Sequence, residues 1–188
     1  MSPVIDLWHS FQQGNEQSFT VLHDTYYNQL YFYGLKIISD DQQVKNAIQE
    51  LFLHLWKNRR RLSPVHSVKH YLLCSFRRHL YRLLEKEKQQ KRFAQISDTD
   101  RFVFSAEDLI VHEETALMTR QLLAKSLNQL PTRQRELIYL RYTAGLTPSE
   151  IAELLQVNYQ SVLNTLTRAI ATLRSKMTLP TPSEAVAT

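Results

Sequence analysis

An all-α fold in two small domains is what this sequence predicts, and three observations predict it. Glycine is scarce, with 3 in 188 residues. Apolar residues recur at spacings of three and four along most of the chain, the period of helices that bury one face. Between two such stretches lies a run, residues 89–105, in which Gln, Lys, Ser, Asp and Thr mix without clear period. That run reads as a linker, and 43% apolar content is enough for a core on either side of it.

The elements follow in order. Phe19, Leu22, Tyr26, Leu30, Tyr33 and Ile37 place a first helix over about 16–38. Ser39-Asp40-Asp41 gives a cap and an acidic first turn to a second helix over about 41–57. A loop over 59–66 contains Pro64, and a third helix runs over about 67–88. Helical pattern resumes near Ala106 and continues to Leu130. Pro131-Thr132 opens the next helix, which Gly145 ends. The domain boundaries expected are 1–90, a flexible linker over 91–105, 106–178, and a disordered tail over 179–188 holding Pro180 and Pro182.

Residues 147–175 carry the sharpest local signal. Thr147, Pro148 and Glu150 form a capping box with Pro at the first helical position. Gln156-Val157 makes a turn, and Asn158 caps a second helix. On that helix Val162, Leu166, Ala169 and Leu173 share an apolar face, while Gln160, Ser161, Asn164, Arg168 and Ser175 lie opposite. Such a pair is a helix-turn-helix, whose second helix enters the major groove of DNA. Gln and Asn suit the two groups that adenine shows there, and Arg168 suits phosphate or guanine.

Charge is unevenly placed. Residues 57–92 hold twelve basic groups against Glu85 and Glu87, inside a chain of net charge +5. A block of that density points to a polyanion. On the third helix, Tyr71, Arg77, Arg78, Tyr81, Arg82 and Lys86 are expected on the face opposite Val68, Leu72, Phe76, Leu80 and Leu83. Cations interleaved with rings suit single-stranded nucleic acid, because the rings stack on exposed bases. On the second helix Leu53 projects among Asn46, Gln49, Glu50 and Lys57, away from Val44, Ala47, Ile48, Leu51 and Leu55. A helix of that kind is expected to dock on a partner.

Enzyme chemistry has little to stand on. His112-Glu113-Glu114-Thr115-Ala116 begins like a zinc-protease helix but has no second His four residues on. Asp40 and Asp41 are explained by a helix N-terminus, and His66 with His70 finds no third metal ligand. Cys74 is the only cysteine, and no glycine-rich phosphate loop occurs. No catalytic residue, metal or cofactor is expected. The first thirty residues lack a basic start with an apolar core, so a soluble cytoplasmic protein is expected.

The chain resembles the bacterial sigma-70 family, in its small extracytoplasmic-function (ECF) group. The run Val44 to Trp56 is similar to the polymerase-binding helix of sigma region 2. Leu130-Pro131, Arg135-Glu136, Leu140-Arg141-Tyr142, Gly145-Leu146, Glu150-Ile151-Ala152 and Arg168-Ala169 are similar to region 4. The resemblance implies that Asn46, Gln49, Glu50, Leu53 and Trp56 dock on core RNA polymerase. It implies that the 62–70 loop, with His66 and Lys69, captures a flipped base of the −10 element. Tyr71, Arg77, Arg78, Tyr81 and Arg82 would then melt and hold the non-template strand, and Gln160, Ser161, Asn164, Thr165 and Arg168 would read the −35 element. The pattern departs at Asn46, where Asp is usual, at Tyr71, where Trp is frequent, and at Leu163 and Thr165, where basic residues are frequent. A membrane-linked anti-sigma factor is a further partner the resemblance implies. The rival reading is a stand-alone helix-turn-helix regulator of duplex operators, which leaves Leu53 and the Tyr–Arg face without a purpose.

Overall fold

The computed structural model describes residues 3–90, 102–105 and 116–177, and every helix and contact below lies among them. The expected tail over 179–188 and most of the expected linker lie outside these residues. No strand occurs among the described residues. The chain divides into two compact units, Met1–Arg101 and Phe102–Thr188.

The first unit holds α1 (Pro3–Gln12), α2 (Glu16–Ile37), α3 (Asp41–Asn58), a 3₁₀ turn (Arg59–Arg61) and α4 (Val68–Gln90). Helix α1 was not anticipated. Its apolar residues Trp8 and Phe11 are fully buried, and the chain turns at Gly14, whose φ of 96° is one that side chains rarely adopt. Asn15 then caps α2 by accepting from the Ser18 amide at 2.8 Å, and Asp40 caps α3 through the Gln43 amide at 3.0 Å. Tyr31 of α2 and Lys45 both hydrogen-bond the Asp41 carboxylate in the first turn of α3. The bond from Lys45, then that from Tyr31, holds this carboxyl below its usual range.

Helices α2, α3 and α4 pack tightly around Gly34. A Cβ added at Gly34 would lie 2.6 Å from Val44 Cγ1 and 3.1 Å from the Phe76 ring. Gly34 is therefore required for closeness, not for backbone freedom. Gly34→Ala should destabilise the unit by about 1–3 kcal/mol through overpacking, outweighing a helix-propensity gain of about 1 kcal/mol. Urea unfolding is expected to show a lower midpoint at unchanged slope. Adding Val44→Ala should recover part of the loss, since it removes the atom that the new methyl meets.

The second unit holds a segment without regular secondary structure over 102–105, α5 (Ala116–Asn128), α6 (Thr132–Ile138), a π-helical turn (Tyr139–Thr143), α7 (Pro148–Leu155) and α8 (Tyr159–Lys176). Residues 102–105, expected in the linker, pack onto this unit. Phe102 and Phe104 are each 3% exposed while Val103 between them is 48% exposed, the alternation of an extended strand. Both rings meet Tyr139, at 5.5 and 6.1 Å between centroids. The Phe104 amide donates to Asn128 Oδ1 and its carbonyl accepts from Asn128 Nδ2, both at 2.8 Å.

The helix-turn-helix forms as its caps indicate. Thr147 and Glu150 make a reciprocal capping box around Pro148. Asn158 caps α8 by accepting from the Gln160 amide at 2.7 Å. The turn between the helices passes through Gln156, in the left-handed region at φ 54°. Ile151, Leu154, Val162 and Ala169 close the core between α7 and α8.

Candidate polymerase-docking and DNA-reading surfaces

Helix α3 turns a polar and apolar mixture outward. Asn46, Gln49 and Glu50 are exposed, and Leu53 beside them is 56% exposed. Asn46 accepts from Gln42 Nε2 at 2.9 Å, which holds its amide along the helix. Glu50 brings a carboxylate oxygen to 2.9 Å from His79 Nε2 of α4. The pair stands at ion-pair distance without the alignment of a hydrogen bond. Burial pushes the His79 pKa down, and the Glu50 charge opposes that shift.

Trp56 stands apart from this group. It is half-buried in an aromatic cluster, 5.0 Å from Phe19 and 6.3 Å from Phe11 between centroids. The Arg59 guanidinium stacks on it at 4.2 Å and donates to its carbonyl at 2.7 Å. Its ring therefore braces α1, α2 and the 3₁₀ turn behind the exposed face.

The basic face of α4 divides in a similar way. Arg78, Tyr81 and Arg82 are exposed, with Tyr81 at 39%. The Arg77 guanidinium lies 4.3 Å over the Tyr81 ring, so a cation covers one ring face while part of the ring remains open. Tyr71 is half-buried with its ring edge-on to Trp8 of α1 at 5.3 Å. His66 is exposed in the loop before α4, and Lys69 is half-buried in its first turn. A groove of about 440 Å³ between α3 and α4 is lined by Glu50, His54, Tyr71, Arg78, His79 and Arg82 among others. Glu50 of the expected docking residues thus meets Tyr71, Arg78 and Arg82 of the expected strand-holding residues along one groove.

On α8, Gln160, Ser161, Asn164 and Arg168 are exposed and Thr165 is half-buried. Gln160 Nε2 donates to Asn164 Oδ1 at 3.1 Å, so the two amides form one unit. Ser161, Asn164, Thr165 and Arg168 line a hollow of about 320 Å³ together with Arg133 of α6. The sequence reading missed Arg133, because no local pattern tells which turn of α6 packs beside α8. Arg59, Arg60 and Arg61, counted there only within the basic block, line a cationic hollow with Lys57 and Asn58 at the end of α3.

Comparison with known proteins follows the same division. The family model "Sigma-70, region 4" matches residues 120–173, the second unit's α5 to α8. The chain is 28% identical over 171 residues to the ECF RNA polymerase sigma factor SigX of Bacillus subtilis (strain 168), covering 87% of this chain and 86% of that one. Among solved structures, CnrH in complex with the cytosolic domain of CnrY superposes at a TM-score of 0.59 and 19% identity, over 91% of this chain and 94% of that one. The sigma factor RpoE in complex with the anti-sigma factor NepR from Bartonella quintana gives 0.59 at 16% identity, over 86% and 95%. These two likenesses establish the fold. The chain belongs to the ECF group of the sigma-70 family of RNA polymerase sigma factors. It directs RNA polymerase to promoters and is not an enzyme.

Proposed function

We propose that this sigma factor divides its work among three faces. The outward side of α3, with Asn46, Gln49, Glu50 and Leu53, docks on core polymerase. His66 in the loop before α4, with Lys69, Arg77, Arg78, Tyr81 and Arg82 of α4, opens and holds the −10 strand. The exposed side of α8 reads the −35 element. Leu53 carries this reading, because a leucine more than half exposed among polar neighbours has no folding role that requires it there. Tyr71 and Trp56 belong to the reading as supports that set the helix positions, since their rings pack inside the unit. The test is copurification with core polymerase followed by transcription from a genomic promoter library. A stand-alone operator binder would bind duplex DNA and leave core polymerase alone.

The place of work is the cytoplasm, where polymerase and promoter meet. No helix of the described residues is long and apolar enough to cross a membrane. The complex of RpoE with NepR supports a regulating partner of the anti-sigma kind for this chain too. We place that partner over the α3 face and, following the family resemblance, link it to a membrane.

Base reading has its own expected result. Asn164→Ala should cost about 1–3 kcal/mol of discrimination at one base pair of the −35 element. Because Asn164 and Gln160 are bonded to each other, Asn164→Ala and Gln160→Ala should be non-additive when combined. Binding profiles over a set of single-base −35 variants check both points. A profile of unchanged shape for Asn164→Ala removes that residue from the reader.

A further inference from the structure

We infer that residues 102–105 form a clip that fixes how far the −35 reader can stand from the −10 unit, and so sets which promoter spacer lengths the protein accepts. The inference rests on the sigma-factor reading above. A chain passing loosely along a domain would not bury two phenylalanines and leave the residue between them exposed, as Phe102, Val103 and Phe104 do. Nor would it have both main-chain groups of Phe104 engaged by one side chain, as Asn128 engages them. The Asn128 amide stands in for a neighbouring strand, and Tyr139 provides the surface on which both rings rest.

The consequence lies in covalent reach. Residue 90 ends α4, and α5 begins at residue 116. Twenty-six Cα steps separate them, which at full extension span about 90 Å. With the clip closed, the tether ends instead at Phe102. Twelve steps from residue 90 then span about 40 Å at most. The residues between Ser105 and Ala116 drop out of the tether, because both of their ends are held on the second unit. One residue of extended chain, about 3.3–3.6 Å, is close to the rise of one base pair, about 3.4 Å. Each residue gained or lost from the tether therefore changes the greatest spacer it can bridge by about one base pair. A tether that cannot span its two sites gives almost no joint binding.

Insertion on either side of the clip tests this with the full chain, core polymerase and promoters differing only in spacer length. About six Gly/Ser residues inserted between residues 95 and 96 lengthen the tether by about 20 Å. The same insertion between residues 110 and 111 only lengthens the stretch of chain that the clip removes from the tether, at small entropic cost. The expected result is that the first insertion raises transcription from promoters with lengthened spacers at least about tenfold, while the second leaves the spacer profile unchanged. Asn128→Ala should move the profile in the direction of the first insertion. Hydrogen exchange at the Phe104 amide, slow in the unmodified protein, should become fast in that variant. Equal broadening by both insertions, or by neither, overturns the inference, and so does fast exchange at Phe104 in the unmodified protein. Unmodified protein that gives no promoter-dependent transcription defeats the sigma-factor reading itself, an outcome separate from these.

Discussion

Leu53→Asp is expected to weaken association with core RNA polymerase by about 30- to 800-fold, while helical content and melting temperature stay near those of the unmodified protein. The two halves of this result come from the same observation. More than half of Leu53 is already in water, so the folded state loses little apolar burial when it is replaced. If the same side chain is buried at the centre of a docked interface, a charge there costs about 2–4 kcal/mol, the range of interface hot spots. Leu53 is a cleaner probe than Glu50, whose carboxylate shares a groove with His79, Arg78 and Arg82. Reversing that charge would disturb α4 as well as the dock. Copurification at the unmodified level with Leu53→Asp would move the docking surface elsewhere.

Arg78→Ala combined with Tyr81→Ala should leave closed-complex formation nearly intact and lower promoter opening by about 5- to 150-fold, the equivalent of 1–3 kcal/mol for one stacked base. Arg78 provides charge for the strand, and the open part of the Tyr81 ring provides a stacking surface held in place by Arg77. Tyr71 is left unchanged, since its ring packs on Trp8 and its truncation would open a void in the unit. Permanganate reactivity of unpaired thymines measures the opening. A template already melted across the −10 element should restore part of the transcription. Undiminished opening in the double variant would reduce this face to a nonspecific anchor.

The parts of this fold that were legible are those written in neighbouring residues. The capping box at Thr147–Glu150, the caps at Asp40 and Asn158 and the apolar stripe of α8 are local, and each formed where the sequence placed it. Helix α1 also had a signal in Val4, Leu7, Trp8 and Phe11, but ten residues give few repeats of a helical period. The candidate surfaces were legible by face and not by partner. Tyr71 and Trp56 were expected at partner surfaces, yet rings of α1 pack on both, and that packing is a tertiary event. The Phe102–Ser105 clip had a faint mark, two phenylalanines at a spacing of two within a polar run. Its receiving amide, Asn128, is 24 residues away in sequence.

The notch at Gly34 does more than admit a methyl group. Val44 enters it from α3, and Leu53 follows nine residues later on the same helix. Nine steps of about 100° bring the helix round to about 180° from where it began. Val44 and Leu53 therefore point in opposite directions along one rigid rod. Seating the valine against a bare backbone works like a key in a slot. It forbids α3 to roll, because a roll of even one residue position would take Val44 out of the notch and carry Leu53 sideways by about 100°. The absence of a side chain in the core thus aims the leucine of α3 that faces away from it.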